Sequence, residues 1–214
     1  MIVAGDYGST TVPAGDGYGT VTVDASGSVK LSATLADGTK VTQSTTISGG
    51  GEWPLYASLY RGQGSVLSWI TFANSGTNDF EGDLNWIRPA MPTSTLYPAG
   101  FTYATFAIGS RYVAPARGSA VLRFTSGRVV LQGGNLTQSI INQVSLGSDN
   151  KVTNLSGNKL TLTITLSSGR MSGNVTDPAT RKSIRINGVV HQKQNAGWGY
   201  FLGTTQSGSV YFGE

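Results

Sequence analysis

Apolar and polar residues alternate along most of the chain, which is typical of β-strands with one buried face and one solvent-exposed face. Near the N-terminus the alternation is clear at Thr20–Val23, Val29–Leu35 and Lys40–Thr45. Turn signals separate these segments at Ser26-Gly27 and at Asp37-Gly38, and an Asp-Gly pair strongly favours a two-residue hairpin turn. The first part of the chain therefore predicts a β-meander.

Similar segments continue to the C-terminus at intervals of about 8–12 residues, the spacing of an all-β sandwich or barrel. No segment keeps a helical period for three turns, and Thr137–Leu146 predicts at most one turn of helix. We expect an all-β protein of about twelve antiparallel strands, closed or nearly closed as barrels. The other clear strands are Ser65–Phe72, Phe80–Ile87, Ser119–Phe124, Arg128–Leu131, Lys159–Leu166, Ser183–Gln192, Gly199–Leu202 and Ser209–Phe212.

The apolar positions of these segments predict the hydrophobic core. They are Val21, Val23, Leu31, Ile47, Leu67, Trp69, Phe72, Leu84, Trp86, Leu122, Phe124, Leu131, Leu162, Ile164, Val189 and Phe201.

The chain also contains an internal repeat. The hairpin and W-P-L-Y segment that follow Ser26 are similar to the hairpin and G-W-G-Y-F-L segment that follow Ser168, so that Tyr56 corresponds to Tyr200. This correspondence favours a structural role for both tyrosines. A repeat of this length predicts two β-units, residues 1–87 and 117–214, joined by a proline-containing connector at 88–116. The two units could also form one composite barrel.

Composition narrows the class of protein further. The chain has 30 Gly, 24 Ser and 25 Thr among 214 residues, and only 12% of its residues are charged. This excludes a helical bundle, while 38% hydrophobic residues in ordered alternation argue against disorder. The absence of cysteine excludes disulfides, thiolate nucleophiles and zinc ribbons.

Charge is distributed unevenly along the chain. Residues 1–107 contain four basic and eight acidic residues, a net charge of −4, and residues 108–214 contain eleven basic and three acidic residues, a net charge of +8. The basic residues are spaced singly along strands, which argues against a nucleic-acid partner. We expect acids of the first half, at 79–83, to contact basic residues of the second half.

Neither a membrane span nor a targeting segment is visible in the sequence. No apolar run approaches the roughly 20 residues of a membrane-spanning helix. The N-terminal residues MIVAGDYGST lack the basic and apolar regions of a signal peptide. We expect the chain to be a piece of a longer exported protein.

A series of motifs occurs in order over residues 15–213: G-Y-G-T-V-T-V, L-A-D-G-T-K, W-P-L-Y-A-S-L-Y, G-D-L-N-W, Y-P-A-G-F, V-V-L-Q-G-G-N-L, N-K-L-T-L-T-I and G-Y-F-L-G-T-T-Q-S-G. This series resembles a β-rich C-terminal module of large exported and surface proteins of Verrucomicrobia and Planctomycetes. The resemblance implies an extracellular or cell-surface location and neighbouring domains as partners. It carries no catalytic residues with it.

The densest acidic cluster is Asp79, Glu81 and Asp83, which share one face, together with Asn85, if residues 78–86 form a strand. Same-face residues lie roughly 6.5–7 Å apart on a strand. Glu81 and Asp83 could therefore serve as a pair of catalytic carboxylates, and all three acids could ligate Ca²⁺. The simpler interpretation is a solvated face, and no other cofactor is indicated.

His191 is the only histidine, and it lies in the predicted strand Ser183–Gln192. It is the third candidate catalytic group, but no G-x-S-x-G motif accompanies it. A single histidine on a strand is more often structural.

Aromatic and basic residues give the candidate ligand-binding positions. An aromatic ring exposed on a strand can stack on a sugar, although aromatic residues in barrels more often fill the interior. The candidates are Trp53, Tyr60, Arg61, Arg111 and Trp198.

These observations favour a non-catalytic exported module that acts in surface display, adhesion or assembly, with glycan binding as a candidate activity. Its partners would be other domains of a parent protein or a surface glycan. The alternative is a small hydrolase acting on ester, phosphoester or glycosidic bonds.

Overall fold

The alternating pattern folds as expected into an all-β protein with two repeated units. The computed structural model describes all residues from Met1 to Glu214. It contains two antiparallel sheets of eight strands, each curled into a nearly closed barrel. The predicted fold class is confirmed, but the strands number sixteen rather than about twelve.

The first barrel is formed by β1–β8 and the second by β9–β16. The strands of the first barrel are β1 Ile2–Val3, β2 Gly17–Val23, β3 Ser28–Thr34, β4 Lys40–Thr46, β5 Glu52–Leu59, β6 Gly64–Phe72, β7 Phe80–Arg88 and β8 Phe101–Gly109. Those of the second are β9 Ser126–Gly133, β10 Ile140–Leu146, β11 Val152–Asn154, β12 Leu160–Thr165, β13 Arg170–Thr176, β14 Ser183–His191, β15 Ala196–Leu202 and β16 Ser207–Gly213.

The two barrels share one circular strand order. Each has a three-strand meander, β2–β4 or β9–β11, a seam without a continuous ladder, and a four-strand meander, β5–β8 or β12–β15. One more strand closes the circle: β1 lies between β8 and β2, and β16 lies between β15 and β9. The closing strand therefore comes first in the first barrel and last in the second.

Side chains bridge the first seam and form a hydrogen-bonded cluster beside the second. In the first barrel Gln43 of β4 donates to the Pro54 carbonyl of β5 at 2.8 Å and accepts a hydrogen bond from the Trp53 indole at 2.9 Å. Proline is tolerated here because β5 is an edge strand. In the second barrel buried Asn142 bonds to Asn154 at 3.1 Å and accepts from Asn158 at 3.1 Å. Gln43 thus replaces part of the missing ladder of the first barrel, whereas the asparagines of the second connect β10 and β11 to the loop that leads into β12.

The sequence prediction placed most of the core correctly. The buried members are Leu31, Leu84, Trp86, Leu122, Phe124, Leu131, Leu162, Ile164, Val189 and Phe201. Val21, Ile47 and Phe72 pack at its margin. Leu67 and Trp69 were assigned to the wrong face and are exposed, whereas Val23 is on the core side but is exposed at the end of β2.

Three local expectations are corrected by the structure. The predicted connector 88–116 contains β8, which completes the first barrel. Residues 137–146 form no helical turn, because 140–146 are β10. Residues 119–124 are not a strand, although Leu122 and Phe124 are buried in the second core. The helical segments are two 3₁₀ turns, Tyr60–Gly62 and Gln192–Gln194, and no helix of this protein has the length and apolar character to cross a membrane.

The barrels pack against each other through a small apolar cluster of their own. It comprises Ile2, Tyr18 and Ala36 of the first barrel with Val189 and Tyr200 of the second. The rings of Tyr18 and Tyr200 lie 6.1 Å apart. Polar contacts also cross this junction, since the Asp16 N–H donates to the Gly199 carbonyl at 3.0 Å and the Ser207 N–H donates to the Tyr97 hydroxyl at 2.8 Å.

Candidate ligand-binding surface

The outer face of β5–β8 carries five of the twelve large apolar side chains that are exposed in this protein: Tyr56, Leu67, Trp69, Ile87 and Phe106. Trp69 is 65% exposed, Tyr56 60% and Phe106 50%. We call the outward side chains of these four strands the aromatic face. Exposure of a cluster of aromatic rings to water is unfavourable, and a ligand that covers the rings gains free energy by burying them. The aromatic face is therefore the first candidate for a binding surface.

The direction of each ring follows from strand alternation. In β5, Trp53 and Leu55 point into the first barrel, so the intervening Pro54 and the following Tyr56 point outward. In β6 the inward positions are Val66, Ser68 and Ile70, which leaves Leu67 and Trp69 outside. The Ser68 hydroxyl donates to the Asp83 carbonyl at 2.6 Å, which satisfies this buried polar group.

The register arranges these outward side chains in rows that run across the strands. One row contains Pro54, Trp69, Asp83 and Phe106: Pro54 pairs with Trp69, and Asp83 pairs with Phe106. Trp69 lies opposite Asp83, since the pairs on both sides, Ser68–Leu84 and Thr71–Glu81, fix that alignment.

A second row runs parallel to the first. It contains Tyr56, Leu67, Asn85 and Ala104, each paired with the next. Neighbouring strands lie about 4.8 Å apart, so Trp69 and Phe106 are separated by about 10 Å with one carboxylate between them. Tyr56 is a diagonal neighbour of Trp69, within the reach of an aromatic side chain.

Two adjoining depressions flank Trp69. The first, with a volume of about 500 Å³, is lined by residues that include Tyr56, Leu67, Trp69, Asp83 and Asn85. The second, of about 710 Å³, is lined by residues that include Trp69, Glu81, Asp83, Phe106 and Gln194. Trp69 and Asp83 line both depressions. The second one extends to the second barrel through Gln194, which donates to the Asn78 side chain at 3.1 Å.

The polar groups of the aromatic face are free to bind a ligand. The side chains of Asp83 and Asn85 are exposed and form no hydrogen bonds within the protein. Glu81 accepts one hydrogen bond from the Asn78 amide at 3.0 Å. Gly82 lies beneath the row, where a Cβ atom would overlap the Trp69 carbonyl oxygen. This close approach of β7 to β6 brings Asp83 beside Trp69.

Only two of the predicted site residues, Glu81 and Asp83, lie on the aromatic face. Both are exposed. His191, in contrast, is buried in the second barrel with only 2% of its surface exposed, and neither of its ring nitrogens has a hydrogen-bond partner. Its ring packs edge-on against Trp198 at 6.1 Å. Burial lowers the pKa of His191 to about 4. The three predicted catalytic groups therefore do not form one site.

The predicted calcium site is also not formed. No group of three or more His, Cys, Asp or Glu side chains is arranged to hold a metal ion. Asp79 instead binds the Lys193 ammonium of the second barrel, with Oδ1 and Nζ 2.7 Å apart. The same ammonium donates to the Asn74 side chain at 2.6 Å and to the Ser75 and Asn78 carbonyls at 2.8 and 3.0 Å. The expected contact between the acidic and basic halves is thus made by Asp79, and not by Glu81 or Asp83.

The predicted ligand-binding aromatic residues have mainly structural contacts. Trp53 is fully buried at the first seam. The Tyr60 hydroxyl donates to buried Asp37 at 2.6 Å, and the Arg88 guanidinium lies over the Tyr60 ring at 5.0 Å. Burial raises the pKa of Tyr60, and the neighbouring Asp37 carboxylate raises it further. Trp198 is half-buried, with the Tyr211 ring 6.0 Å away.

The two predicted arginines are exposed but lie off the aromatic face. Arg61 is in the turn between β5 and β6 with a left-handed backbone, φ 60°. Arg111 follows β8, and its backbone N–H donates to the Asp79 carboxylate at 2.7 Å.

Tyr56 and Tyr200, which correspond to each other in the internal repeat, have different environments. Tyr56 is exposed, whereas Tyr200 is buried at the junction of the barrels. The structural role expected for both tyrosines is therefore seen for Tyr200 alone.

Comparison of the sequence with protein-family models and with curated proteins finds no match. The geometry of the aromatic face is therefore the basis for a functional assignment.

Sequence reasoning missed Phe106 as a member of a site and assigned Trp69 to the core, whereas it placed Asn85 on the same strand face as Glu81 and Asp83. Tyr56 had a usable signal, because the alternation of Trp53, Leu55 and Ala57 leaves it outside. The stretch from Val66 to Ile70 gave no such signal, since both of its faces carry large apolar side chains.

Proposed function

We propose that the protein is a non-catalytic carbohydrate-binding module whose ligand is a polysaccharide chain lying across β5–β8. The observation that carries the proposal is the arrangement of Tyr56, Trp69 and Phe106, three exposed rings in adjoining rows with unpaired polar side chains between them. The apolar face of a sugar ring can cover an aromatic ring, while the sugar hydroxyls need hydrogen-bond partners. Asp83 and Asn85 provide those partners.

The dimensions of the face favour a chain over a single sugar. Trp69 and Phe106 lie about two strand spacings apart, roughly 10 Å, which is comparable to the length of a disaccharide unit. The two depressions, of about 500 and 710 Å³, continue on either side of Trp69. A chain of several sugars would thus contact all three rings at once, and the open ends of the face would let it continue in both directions.

We also propose that the module acts outside the cell as part of a larger surface or exported protein, in adhesion or assembly. The support is the resemblance to C-terminal modules of such proteins, together with a cysteine-free composition rich in Gly, Ser and Thr. Binding to a glycan would then attach the parent protein to a cell surface or matrix.

Affinity electrophoresis in gels that contain soluble polysaccharides tests the binding activity. We expect retardation by at least one polysaccharide, and we expect Trp69→Ala to weaken that binding tenfold or more, as truncation of a central aromatic contact does. Melting should change little, because surface substitutions away from special features cost within about 0.5 kcal/mol. Leu155→Ala, at an exposed apolar position after β11, is the matched control and should bind normally.

Two results would contradict the proposal. One is an affinity for the retarding polysaccharide that is the same in Trp69→Ala and in the unmodified protein. The other is an equal loss of binding in Leu155→Ala, which would show that the assay reports general surface hydrophobicity.

A further inference from the structure

The aromatic face carries negative charge and no positive charge. Its outward positions on β5–β8 include Glu52, Glu81 and Asp83, whereas none of them is occupied by lysine or arginine. The one basic residue of these strands, Arg88, points into the barrel and binds Asp37. A polysaccharide with carboxylate or sulfate groups would be repelled by this face, and a cationic one would be attracted.

Asp83 has a special position among these acids. In its row it stands between Trp69 and Phe106, each on a neighbouring strand and therefore about 4.8 Å away along the row. Its carboxylate has no partner in the protein. The side chains of both flanking residues can therefore reach an ammonium group bound to Asp83, and a cation within about 6 Å of an aromatic ring is attracted to its face.

A hydroxyl group cannot make equal use of this arrangement. It can donate one hydrogen bond to Asp83, but it gains neither the charge-assisted strength of an ion pair nor the attraction of the two rings. The site therefore discriminates between sugars by the presence of a positive charge. On a polysaccharide, that charge is supplied by the free amino group of a de-N-acetylated amino sugar.

We infer that the module selects polysaccharides with free amino groups, and that Trp69, Asp83 and Phe106 form the subsite that binds the ammonium group. This inference rests on the proposed function, because the sugar ring that carries the amine must be held on the aromatic face. The orientation of the chain follows from the rows: the amine lies at Asp83 and the neighbouring sugars lie over Trp69 and towards Tyr56.

Isothermal titration calorimetry with four hexasaccharides of matched length tests the inference. The probes are a glucosamine hexamer, an N-acetylglucosamine hexamer, a neutral glucose hexamer and an anionic galacturonate hexamer. We expect the glucosamine hexamer to bind at least tenfold more tightly than the two uncharged probes at low salt. The galacturonate hexamer should bind most weakly. The advantage of the amine should shrink as salt is added, because the site is exposed to solvent.

Two charge-removing variants separate the subsite from the general charge of the face. Asp83→Asn should lose most of the preference for the amine while it keeps the weaker binding shared by the uncharged hexamers. Glu52→Gln removes the same charge from the same face but not from between two rings, and it should change the affinity less than twofold. A pentalysine peptide serves as a polycation without sugar rings and should bind much more weakly than the glucosamine hexamer.

The outcomes distinguish failure of the inference from failure of the proposed function. Equal binding of glucosamine and uncharged hexamers, or equal effects of Asp83→Asn and Glu52→Gln, would overturn the amine subsite and leave glycan binding intact. If pentalysine bound as tightly as the glucosamine hexamer, the face would bind polycations in general, and the inference that it selects the amine of a glycan would be overturned. Absence of binding to every hexasaccharide and to every polysaccharide in the gels would overturn the proposed function itself.

Discussion

Two buried titratable side chains near the junction of the barrels have pKa values shifted in opposite directions. Burial lowers the pKa of His191 to about 4, because the apolar surroundings disfavour the imidazolium. Burial raises the pKa of Asp16 to about 7, although hydrogen bonds from the Gly5 N–H at 3.0 Å and the Tyr7 hydroxyl at 3.1 Å lower it in part. The two groups therefore act on stability with opposite signs in the acid range.

For His191 the folded-state pKa lies below the ordinary value of 6.5. Its stabilising contribution is complete above that value and is lost as the pH falls towards 4. For Asp16 the folded-state pKa lies above the ordinary value of 3.8. Its contribution is complete below that value and is lost as the pH rises through 7.

We predict that His191→Phe and Asp16→Asn change the pH dependence of unfolding in opposite directions. Relative to the unmodified protein, His191→Phe should gain on the order of 2 kcal/mol at pH 4.5 over its value at pH 7.5. Asp16→Asn should instead gain at pH 7.5 over its value at pH 4.5. Urea unfolding at the two pH values measures both differences, and all other titrating groups cancel in each comparison. A difference from the unmodified protein that is independent of pH would contradict the assignment for that residue.

Strand β10 shows how a buried polar group can organise a barrel core and also obscure a strand in the sequence. Ile140, Val144 and Leu146 point into the second barrel, but the inward position between them is Asn142. The interruption weakens the apolar alternation, and for this reason the sequence suggested a turn of helix there. The same Asn142 is fully buried and binds Asn154 of the neighbouring strand β11 and Asn158 of the loop that leads into β12.

We predict that Asn142→Ala destabilises the protein by about 2–3 kcal/mol, because it removes the hydrogen-bond partner of the Asn158 amide and creates a small cavity. Gln143→Ala, at the exposed neighbouring position of β10, should cost no more than about 0.5 kcal/mol. Thermal unfolding measures both values. Hydrogen exchange should show faster exchange in β11 and in the loop that follows it in the Asn142 variant. An Asn142→Ala variant as stable as Gln143→Ala would show that the amide cluster does not stabilise the second barrel.

The strands differ in how much of their structure could be predicted from sequence. β12 could be predicted completely, because Leu160, Leu162 and Ile164 alternate with exposed threonines. β6 was predicted as a strand, but its faces were exchanged, since Leu67 and Trp69 are as apolar as Val66 and Ile70. Only the pairing with β5 and β7 decides which set faces the core. The candidate site depends on that choice, so the fold could be predicted while the aromatic face could not.

The hairpin turn at Asp37-Gly38 has a structural role that its turn motif did not predict. The predicted hairpin at Asp37-Gly38 is present, but its loop spans 35–39 and Asp37 is buried. The Asp37 carboxylate binds the Arg88 guanidinium at 2.5 Å and the Tyr60 hydroxyl at 2.6 Å. These partners come from distant strands, so a turn motif alone cannot reveal them. Buried polar groups of this kind are costly unless paired, which fixes how β3, β5 and β7 meet at one end of the first barrel.

The two barrels form one molecule through a junction that combines apolar packing, backbone hydrogen bonds and charge pairing. Tyr18 and Tyr200 pack in the apolar cluster, and Lys193 binds Asp79 on one side of it. The opposite net charges of the two halves, −4 and +8, attract each other across this junction. The aromatic face borders it, since Gln194 of the second barrel lines one of the two depressions. The second barrel thus supports the loop that precedes Glu81 and Asp83.

This arrangement predicts that the barrels unfold as one cooperative unit and that a single substitution can uncouple them. Gly15 lies at the junction, where a Cβ atom would overlap the Gly208 carbonyl oxygen and the Tyr200 Cβ. Gly15→Val should therefore separate the barrels without altering either core. Differential scanning calorimetry should show one transition for the unmodified protein and two for this variant. Gly8→Val, in the same N-terminal segment but with open space around the glycine, is the matched control and should retain one transition. A single transition in Gly15→Val, at an unchanged temperature, would show that the contacts at Gly15 do not couple the barrels.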